Sequence, residues 1–137
     1  MLGVLTGKYN NEEVPEGFRM AFDTVWKKHC DQYLGEKTGE ETRKKLRTIA
    51  DIGKDVGMSM SQFALAWLVK NRDVSTAIIG SKKPEQLEEN IKAIELTKNI
   101  TPEIEEKLEK ILGNRPDSGL DWKTRTPLKP RRQISTL

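Results

Sequence analysis

Apolar residues recur at helical spacing in the stretch that follows residue 37, and basic residues occupy the opposite positions. The capping-box spacing of Thr38 and Glu41 predicts a helix start, and Gly57 offers the left-handed backbone that ends many helices. The apolar positions in between are Leu46, Ile49, Gly53 and Val56, and the basic ones are Lys44, Lys45 and Arg47. This pattern predicts an amphipathic helix.

The next stretch is apolar on almost every side. Ser59 and Gln62 have the spacing of a second capping box, and residues 63–69 follow as an unbroken apolar run. A helix that is hydrophobic all round is normally enclosed by other elements. We therefore expect a deeply buried helix with Trp67 in the core.

A short run rich in β-branched residues, at positions 74–79, is closed by Gly80 and predicts a buried strand. A single strand cannot form a sheet, because its backbone donors and acceptors need neighbouring strands. The rest of the chain offers no obvious second strand. The sequence therefore predicts either a piece of a larger α/β protein or a chain whose strand pairs with another chain.

Two more helices complete the predicted order of helix, helix, strand, helix, helix. Pro84 suits the first position of a helix. Leu87, Ile91 and Ile94 form an apolar stripe along that helix. Thr101 and Pro102 suit the start of the last helix, and Gly113 suits its end. The apolar positions of that helix are Ile104, Leu108, Ile111 and Leu112.

Both ends of the chain lack hydrophobic periodicity. Residues 1–37 are rich in turn-forming residues in their first half and are interpreted as a long loop with one helical piece. Residues 117–137 carry five basic residues and no acidic residue after Asp121. We interpret them as a basic, disordered tail; contact with acidic partners or lipid headgroups is the alternative.

The composition suits helices with one buried stripe and broad polar faces, since 35% of the residues are hydrophobic and 33% are charged. No apolar run approaches the roughly 18 residues that a membrane span needs. A single cysteine, Cys30, excludes an internal disulfide and fits a reducing compartment. We therefore predict a cytoplasmic protein that does not span a membrane.

The strongest candidate for a ligand site is the segment 80–84, between the predicted strand and the helix at Pro84. Free N–H groups at a helix start attract anions, and Ser81, Lys82 and Lys83 add a hydroxyl and two positive charges, so a phosphate group would fit. Gln86, Glu89 and Asn90 then lie on one helical face. Their amide, carboxylate and amide groups are suited to hydrogen bonds with a purine or a ribose. An ordinary capped surface helix is the alternative.

A second candidate is the segment 3–9, where two glycines allow close approach of a ligand and Thr6 and Lys8 are suited to a pyrophosphate. A plain turn is the alternative. His29 and Cys30 are the single histidine and the single cysteine, which argues against a metal cluster and a histidine-based triad. The tryptophans are too scattered to indicate base stacking, so no nucleic-acid partner is predicted.

Four motifs in this order resemble the aldo-keto reductase family. Residues 3–9 resemble the loop after the seventh barrel strand, and residues 62–67 the helix that follows. Gly80-Ser81, with residues 85–87 and Glu89-Asn90, resembles the signature after the eighth strand. Residues 111–116 are similar to the end of the last helix in the potassium-channel beta-subunit branch of the family.

The resemblance implies an NADP(H)-binding α/β fold, namely the C-terminal part of a (β/α)₈ TIM barrel that is mostly helical with one clear strand. Residues 1–116 would form this partial domain, with 1–37 as a loop that covers the cofactor through Arg19. Thr6 and Lys8 match positions near the pyrophosphate, and Gly80 and Lys82 match the 2′-phosphate pocket. The positions around the adenine and its ribose are matched by Gln86, Glu89 and Asn90.

The family's catalytic Asp, Tyr, Lys and His lie in the first half of the barrel, and nothing in this chain matches them. A whole barrel needs roughly 250 residues, whereas this chain has 137. The resemblance therefore implies part of a reductase of aldehydes or ketones that is inactive alone. The alternative is a non-catalytic channel beta-subunit-like module, with a homo-tetramer or a channel alpha subunit as partner.

Overall fold

The computed structural model describes residues 3–10, 28, 34–35 and 39–115, and this part of the chain is helical. We number its α-helices α1 (Gly39–Asp55), α2 (Met60–Lys70), α3 (Pro84–Lys92) and α4 (Pro102–Leu112). Two short 3-10 helices, Val4–Thr6 and Glu95–Asn99, accompany them. The four helices predicted from the hydrophobic pattern are therefore present.

The predicted helix ends are confirmed wherever the structure describes them. Ser59 and Gln62 form a complete capping box, in which the Ser59 hydroxyl accepts from Gln62 N at 3.3 Å and the Gln62 side chain accepts from Ser59 N at 3.1 Å. The Thr101 side chain caps α4. Gly57 and Gly113 have φ angles of 76° and 59°, in the left-handed region. Thr38, of the first predicted capping box, lies outside the described residues.

The core lies where α1, α2 and α4 meet the 3-10 helix Glu95–Asn99. Phe63 of α2 is only 1% exposed, and Ile100, which follows the 3-10 helix, is buried beside it. The ammonium of Lys70 donates to the carbonyl of Ile100 and ties the end of α2 to this turn. Further buried apolar side chains come from α1, α2 and α4: Leu46, Ile49, Ile52, Met60, Ala66 and Leu108.

Polar side chains of α1 contact parts of the described chain that lie before and after this helix. The buried Arg43 donates from Nη1 to the carbonyl of Leu34 at 2.8 Å, and its Nε lies 3.5 Å from the Glu40 carboxylate. Lys45 donates from Nζ to the carbonyl of Leu112, at the end of α4, at 3.3 Å. α1 is therefore connected to both the beginning and the end of the helical unit.

The α/β prediction is wrong for the described residues, which contain no strand, sheet or barrel. The predicted strand at 74–79 is an irregular segment. It begins in a turn, where Asp73 N donates to the Asn71 side chain at 2.9 Å and Val74 N donates to the Asn71 carbonyl at 3.1 Å. Ile78 is 95% exposed. The β-branched composition does not produce a strand, because the described chain supplies no second strand for it to pair with.

The buried stripe predicted for α3 is also wrong, since Leu87, Ile91 and Ile94 are exposed. Ala93, which follows α3, is instead buried at 1% exposed, and α3 itself contacts α2 through hydrogen bonds of Glu89. Trp67 of α2, expected in the core, is 38% exposed. Helical spacing identifies an apolar face but does not say which neighbour will cover it.

In the part of the chain that the structure describes, no helix has the length and apolar character that crossing a membrane requires. The predicted basic tail, residues 117–137, and most of the predicted loop 1–37 lie outside the described residues.

Candidate functional site

The segment 80–83 leads into α3 on the protein surface. Lys83 is the N-cap residue of α3 but gives no side-chain cap, and Pro84 lies in the first turn. The side-chain oxygen of Gln86 accepts a hydrogen bond from the backbone N–H of Lys82 at 3.1 Å. This bond holds Lys82 next to the start of α3, although it also occupies one of the N–H groups predicted to bind an anion.

The side chains of Lys82 and Lys83 are exposed, and neither ammonium forms an ion pair with any residue the structure describes. Glu85 lies in the first turn of α3. The positive end of the helix dipole is also located there and favours a negatively charged group. This end of α3 therefore presents two cationic groups that an anion can reach.

Asn90 lies one turn after Gln86 and contacts the same segment. Its side-chain nitrogen donates to the Ser81 hydroxyl at 3.4 Å. Because Gln86 holds the backbone of Lys82 and Asn90 holds the side chain of Ser81, both amides brace the loop against α3. Gly80 has open space around it, since apart from its two chain neighbours no described residue has an atom within 4 Å of the position that a Cβ would take.

Glu89 contacts α2 rather than the loop. One of its carboxylate oxygens accepts from the Ser59 hydroxyl at 2.5 Å, and its backbone carbonyl accepts from the Gln62 side chain at 3.0 Å. Sequence reasoning recognised Ser59 and Gln62 as helix-capping residues and missed them as partners of Glu89. The one available signal was that a capping serine still has a hydroxyl hydrogen to donate.

The segment 3–10 forms a compact turn. Gly3 and Gly7 have positive φ angles of 72° and 82°. The Thr6 hydroxyl donates to the Gly3 carbonyl at 2.7 Å. The Lys8 side chain folds back so closely that a Cβ at Gly3 would lie 2.6 Å from its Cε, and its Nζ lies 4.9 Å from the centroid of the Tyr9 ring. Partial burial lowers the pKa of Lys8 below its usual value.

This turn packs against the first turn of α2. The Asn10 side chain donates to the sulfur of Met60 at 3.7 Å, and a Cβ at Gly7 would lie 3.6 Å from the same sulfur. Met60 stands next to Ser59 in the chain, so the N-terminal turn of α2 contacts the segment 3–10 and, through Glu89, also α3. Of the predicted site residues, Thr6 and Lys8 lie in the segment 3–10, whereas five others lie in α3 or in the loop before it: Gly80, Lys82, Gln86, Glu89 and Asn90.

Three other residues from the sequence analysis, Arg19, His29 and Cys30, lie outside the described residues. Within the described ranges, no group of three or more His, Cys, Asp or Glu side chains is arranged to hold a metal ion. The site is therefore built from a lysine-rich helix start, side-chain amides and one carboxylate.

Comparison with known proteins gives a consistent result. The sequence profile of the Aldo/keto reductase family matches residues 1–109. A putative voltage-gated potassium channel subunit beta of Schizosaccharomyces pombe is 43% identical over 114 residues, which make up 83% of this chain and 32% of that protein.

Two plant proteins match over the same length of 114 residues and the same 83% of this chain. The probable voltage-gated potassium channel subunits beta of Oryza sativa subsp. japonica and Arabidopsis thaliana are 33% and 31% identical, and 33% of each is covered. The chain thus spans about a third of the length of these curated relatives. Because the family match extends over most of its residues, the chain belongs to the aldo/keto reductase family.

Proposed function

We propose that this chain contributes the NADP(H)-binding segments of an aldo/keto reductase that reduces aldehydes or ketones. When bound, NADPH would supply the hydride for the carbonyl carbon, and the proton for the carbonyl oxygen would come from the family's catalytic residues, which this chain does not match. The part that we assign to this chain is to bind and orient the cofactor. Membership of the family and the chemistry of the two candidate segments support this role.

The observation that carries the proposal is the pair of exposed lysine side chains at the start of α3. Lys82 would bind the 2′-phosphate that distinguishes NADP(H) from NAD(H), because an ammonium beside a helix N-terminus favours a dianion. Its backbone is held by Gln86, so the loop that bears the charge is braced before a ligand arrives. Gly80, in open space, leaves room for the phosphate.

The segment 3–10 would hold the pyrophosphate through Thr6 and Lys8, and Arg19 would cover the cofactor. In the unliganded chain, Lys8 is folded against Gly3 and Tyr9. A pyrophosphate would attract its ammonium away from this position. A negative neighbour would also favour the charged form and raise the pKa of Lys8 toward its usual value.

We further propose that the chain alone is inactive, because no residue matches the family's catalytic Asp, Tyr, Lys and His set. The cytoplasm remains the proposed location, on the grounds that a single cysteine suits a reducing compartment.

Adenosine nucleotides test the phosphate pocket directly in the 137-residue chain. We would titrate the labelled protein with 2′,5′-ADP and with 5′-AMP, which lacks the 2′-phosphate, and follow the backbone amides by NMR. The expected result is tighter binding of 2′,5′-ADP, with the largest shifts at residues 81–86. Equal affinity for both nucleotides, or shifts located elsewhere, would overturn the assignment of the pocket.

A second candidate function is a non-catalytic binding module of the potassium-channel beta-subunit type, assembled as a homo-tetramer or with a channel alpha subunit. The names of the three relatives favour it. Fusing this chain to the two-thirds of the Schizosaccharomyces pombe relative that it does not match separates the two candidates. Turnover of an aldehyde with NADPH by the fusion supports the reductase, whereas NADPH binding without turnover supports the module.

A further inference from the structure

We propose that Ser59 is a positioning residue for the cofactor site, acting through Glu89. In this inference, which rests on the proposed function, one oxygen of the Glu89 carboxylate is bonded to α2. Through this bond α2 holds α3 and the lysine-bearing loop in place. The resemblance assigns Glu89 to the adenine and its ribose, whereas the structure gives its carboxylate another partner.

The geometry of the Ser59 hydroxyl supports this role. Its hydrogen goes to the Glu89 carboxylate at 2.5 Å, while its oxygen accepts the backbone N–H of Gln62 at 3.3 Å. The single hydroxyl therefore caps α2 and binds α3 at the same time. Hydrogen bonds to a charged acceptor are the shorter and stronger ones, so this contact is suited to fixing the distance between the two helices.

Gln62 provides the second connection. Its side-chain oxygen accepts from Ser59 N, and its side-chain nitrogen donates to the Glu89 backbone carbonyl at 3.0 Å. The same amide thus completes the capping box of α2 and binds the backbone of α3. The carboxylate and the backbone carbonyl of Glu89 are thus both bonded to α2, so that α3 is attached to α2 at two points.

The loop that would bind phosphate depends on this arrangement. Gln86 and Asn90, on either side of Glu89 in the chain, hold the backbone of Lys82 and the hydroxyl of Ser81. A displacement of α3 on α2 would therefore move the lysines as well. Because Met60, in the same turn of α2, contacts the segment 3–10, Ser59 sets the position of one candidate segment relative to the other.

Substituting Ser59 by Asp separates the two tasks of the hydroxyl. Aspartate is as good an N-cap as serine, so the cap of α2 remains. It has no hydrogen to give Glu89 and places a second negative charge beside it, which is unfavourable. Ser59→Thr keeps both functions and is the matched control. Glu89→Ala removes the contact without altering the cap of α2.

Amide hydrogen exchange of the 137-residue chain tests the positioning role without any ligand. In Ser59→Asp and Glu89→Ala, the amides of residues 88–92 should exchange about tenfold faster or more, the effect of losing one hydrogen bond to a charged group. The amides of residues 64–70 in α2 should be unchanged, and Ser59→Thr should resemble the native chain. Unchanged exchange in α3 for both variants overturns the inference.

The double variant Ser59→Asp/Glu89→Gln should restore protection, because the new amide donates a hydrogen bond to the new carboxylate. If it exchanges as fast as Ser59→Asp alone, the contact does not position α3 and the inference is wrong.

Nucleotide titration links this result to the site. Ser59→Asp should weaken the binding of both 2′,5′-ADP and 5′-AMP, because the whole of α3 moves, whereas Lys82→Glu should weaken only that of 2′,5′-ADP. A native chain that binds neither nucleotide would refute the proposed function, and hydrogen exchange would still decide whether Ser59 positions α3. Loss of 2′,5′-ADP binding alone in Ser59→Asp would contradict the positioning role.

Discussion

Gly53 of α1 lies directly against Phe63 of α2, so that a Cβ at position 53 would approach the Phe63 Cβ to 3.1 Å and its Cγ to 3.3 Å. The glycine is itself buried. The missing side chain lets the two helices approach closely, and the aromatic ring fills the space at the centre of the core.

Replacing Phe63 with Ala should destabilise the chain by about 3–5 kcal/mol, because it removes a ring that is enclosed on all sides. Ile78→Ala is the control, since Ile78 is almost fully exposed and its truncation should change the unfolding free energy by less than about 0.5 kcal/mol. Urea unfolding followed by circular dichroism measures both. Similar losses for the two variants would show that Phe63 is not at the centre of the core.

Lys82 and Lys83 allow a charge-matched test of cofactor preference in the fusion with the Schizosaccharomyces pombe relative. Lys82→Glu should lower the preference for NADPH over NADH by about tenfold or more, since a charge-assisted hydrogen bond is lost and a repulsion is added. Lys83→Glu makes the same change in charge next to it and should have a smaller effect. Cofactor fluorescence titrations measure the affinities. Equal losses of NADPH and NADH on changing Lys82 would show that it does not recognise the phosphate.

The purified 137-residue chain should not reduce aldehydes with NADPH above the uncatalysed rate. A positioned proton donor typically supplies about 10²–10⁴-fold of rate enhancement, and this chain has no match to the family's catalytic set. The measurement is the loss of NADPH absorbance with a panel of aldehydes. Turnover that co-purifies with the chain through several columns would contradict the assignment of catalysis to residues absent from it.

Glu40 should make the stability of the chain depend on acidic pH. A hydrogen bond from Arg47, at 2.6 Å, and the nearby Arg43 lower the pKa of Glu40 below its usual 4.5. Because the folded-state pKa is the lower one, the contribution is fully present above 4.5 and is lost as the pH falls through the folded-state value.

Glu40→Gln should remove this part of the pH dependence. The unfolding free energies of the native chain and the variant should therefore converge as the pH falls below 4.5. Glu41→Gln, at a neighbouring exposed carboxylate paired with Lys45, is the control. If the unfolding free energies of the native chain and Glu40→Gln differed by the same amount at every pH tested, the lowered pKa of Glu40 would not be the cause of the pH dependence.

The features that the sequence predicted correctly are those decided within a few residues. Ser59 with Gln62 and the cap at Thr101 depend on side chains reaching backbone groups one turn away. Gly57 and Gly113 adopt a backbone conformation that few other residues tolerate. These local constraints hold whatever else surrounds the helices.

The predictions that were wrong depended on distant neighbours. The run 74–79 has the composition of a strand, but strand formation requires a partner that the described chain does not provide. The stripe Leu87, Ile91 and Ile94 was identified by its spacing, yet the partners of α3 are Ser59 and Gln62, residues about 30 positions earlier. The site residues were proposed from residue types and spacing and from a resemblance, and the contacts of Glu89 with α2 could not be deduced from spacing.

The hydrogen bond between Lys45 and the carbonyl of Leu112 has a consequence for synthesis, since its two residues are 67 positions apart. When α1 leaves the ribosome, the helix that covers its far side has not yet been made. The apolar faces of α1 and α2 stay uncovered until residue 112 has been synthesised. During that interval they can bind chaperones or other nascent chains. We therefore expect the unit to fold late and in one step rather than helix by helix during translation.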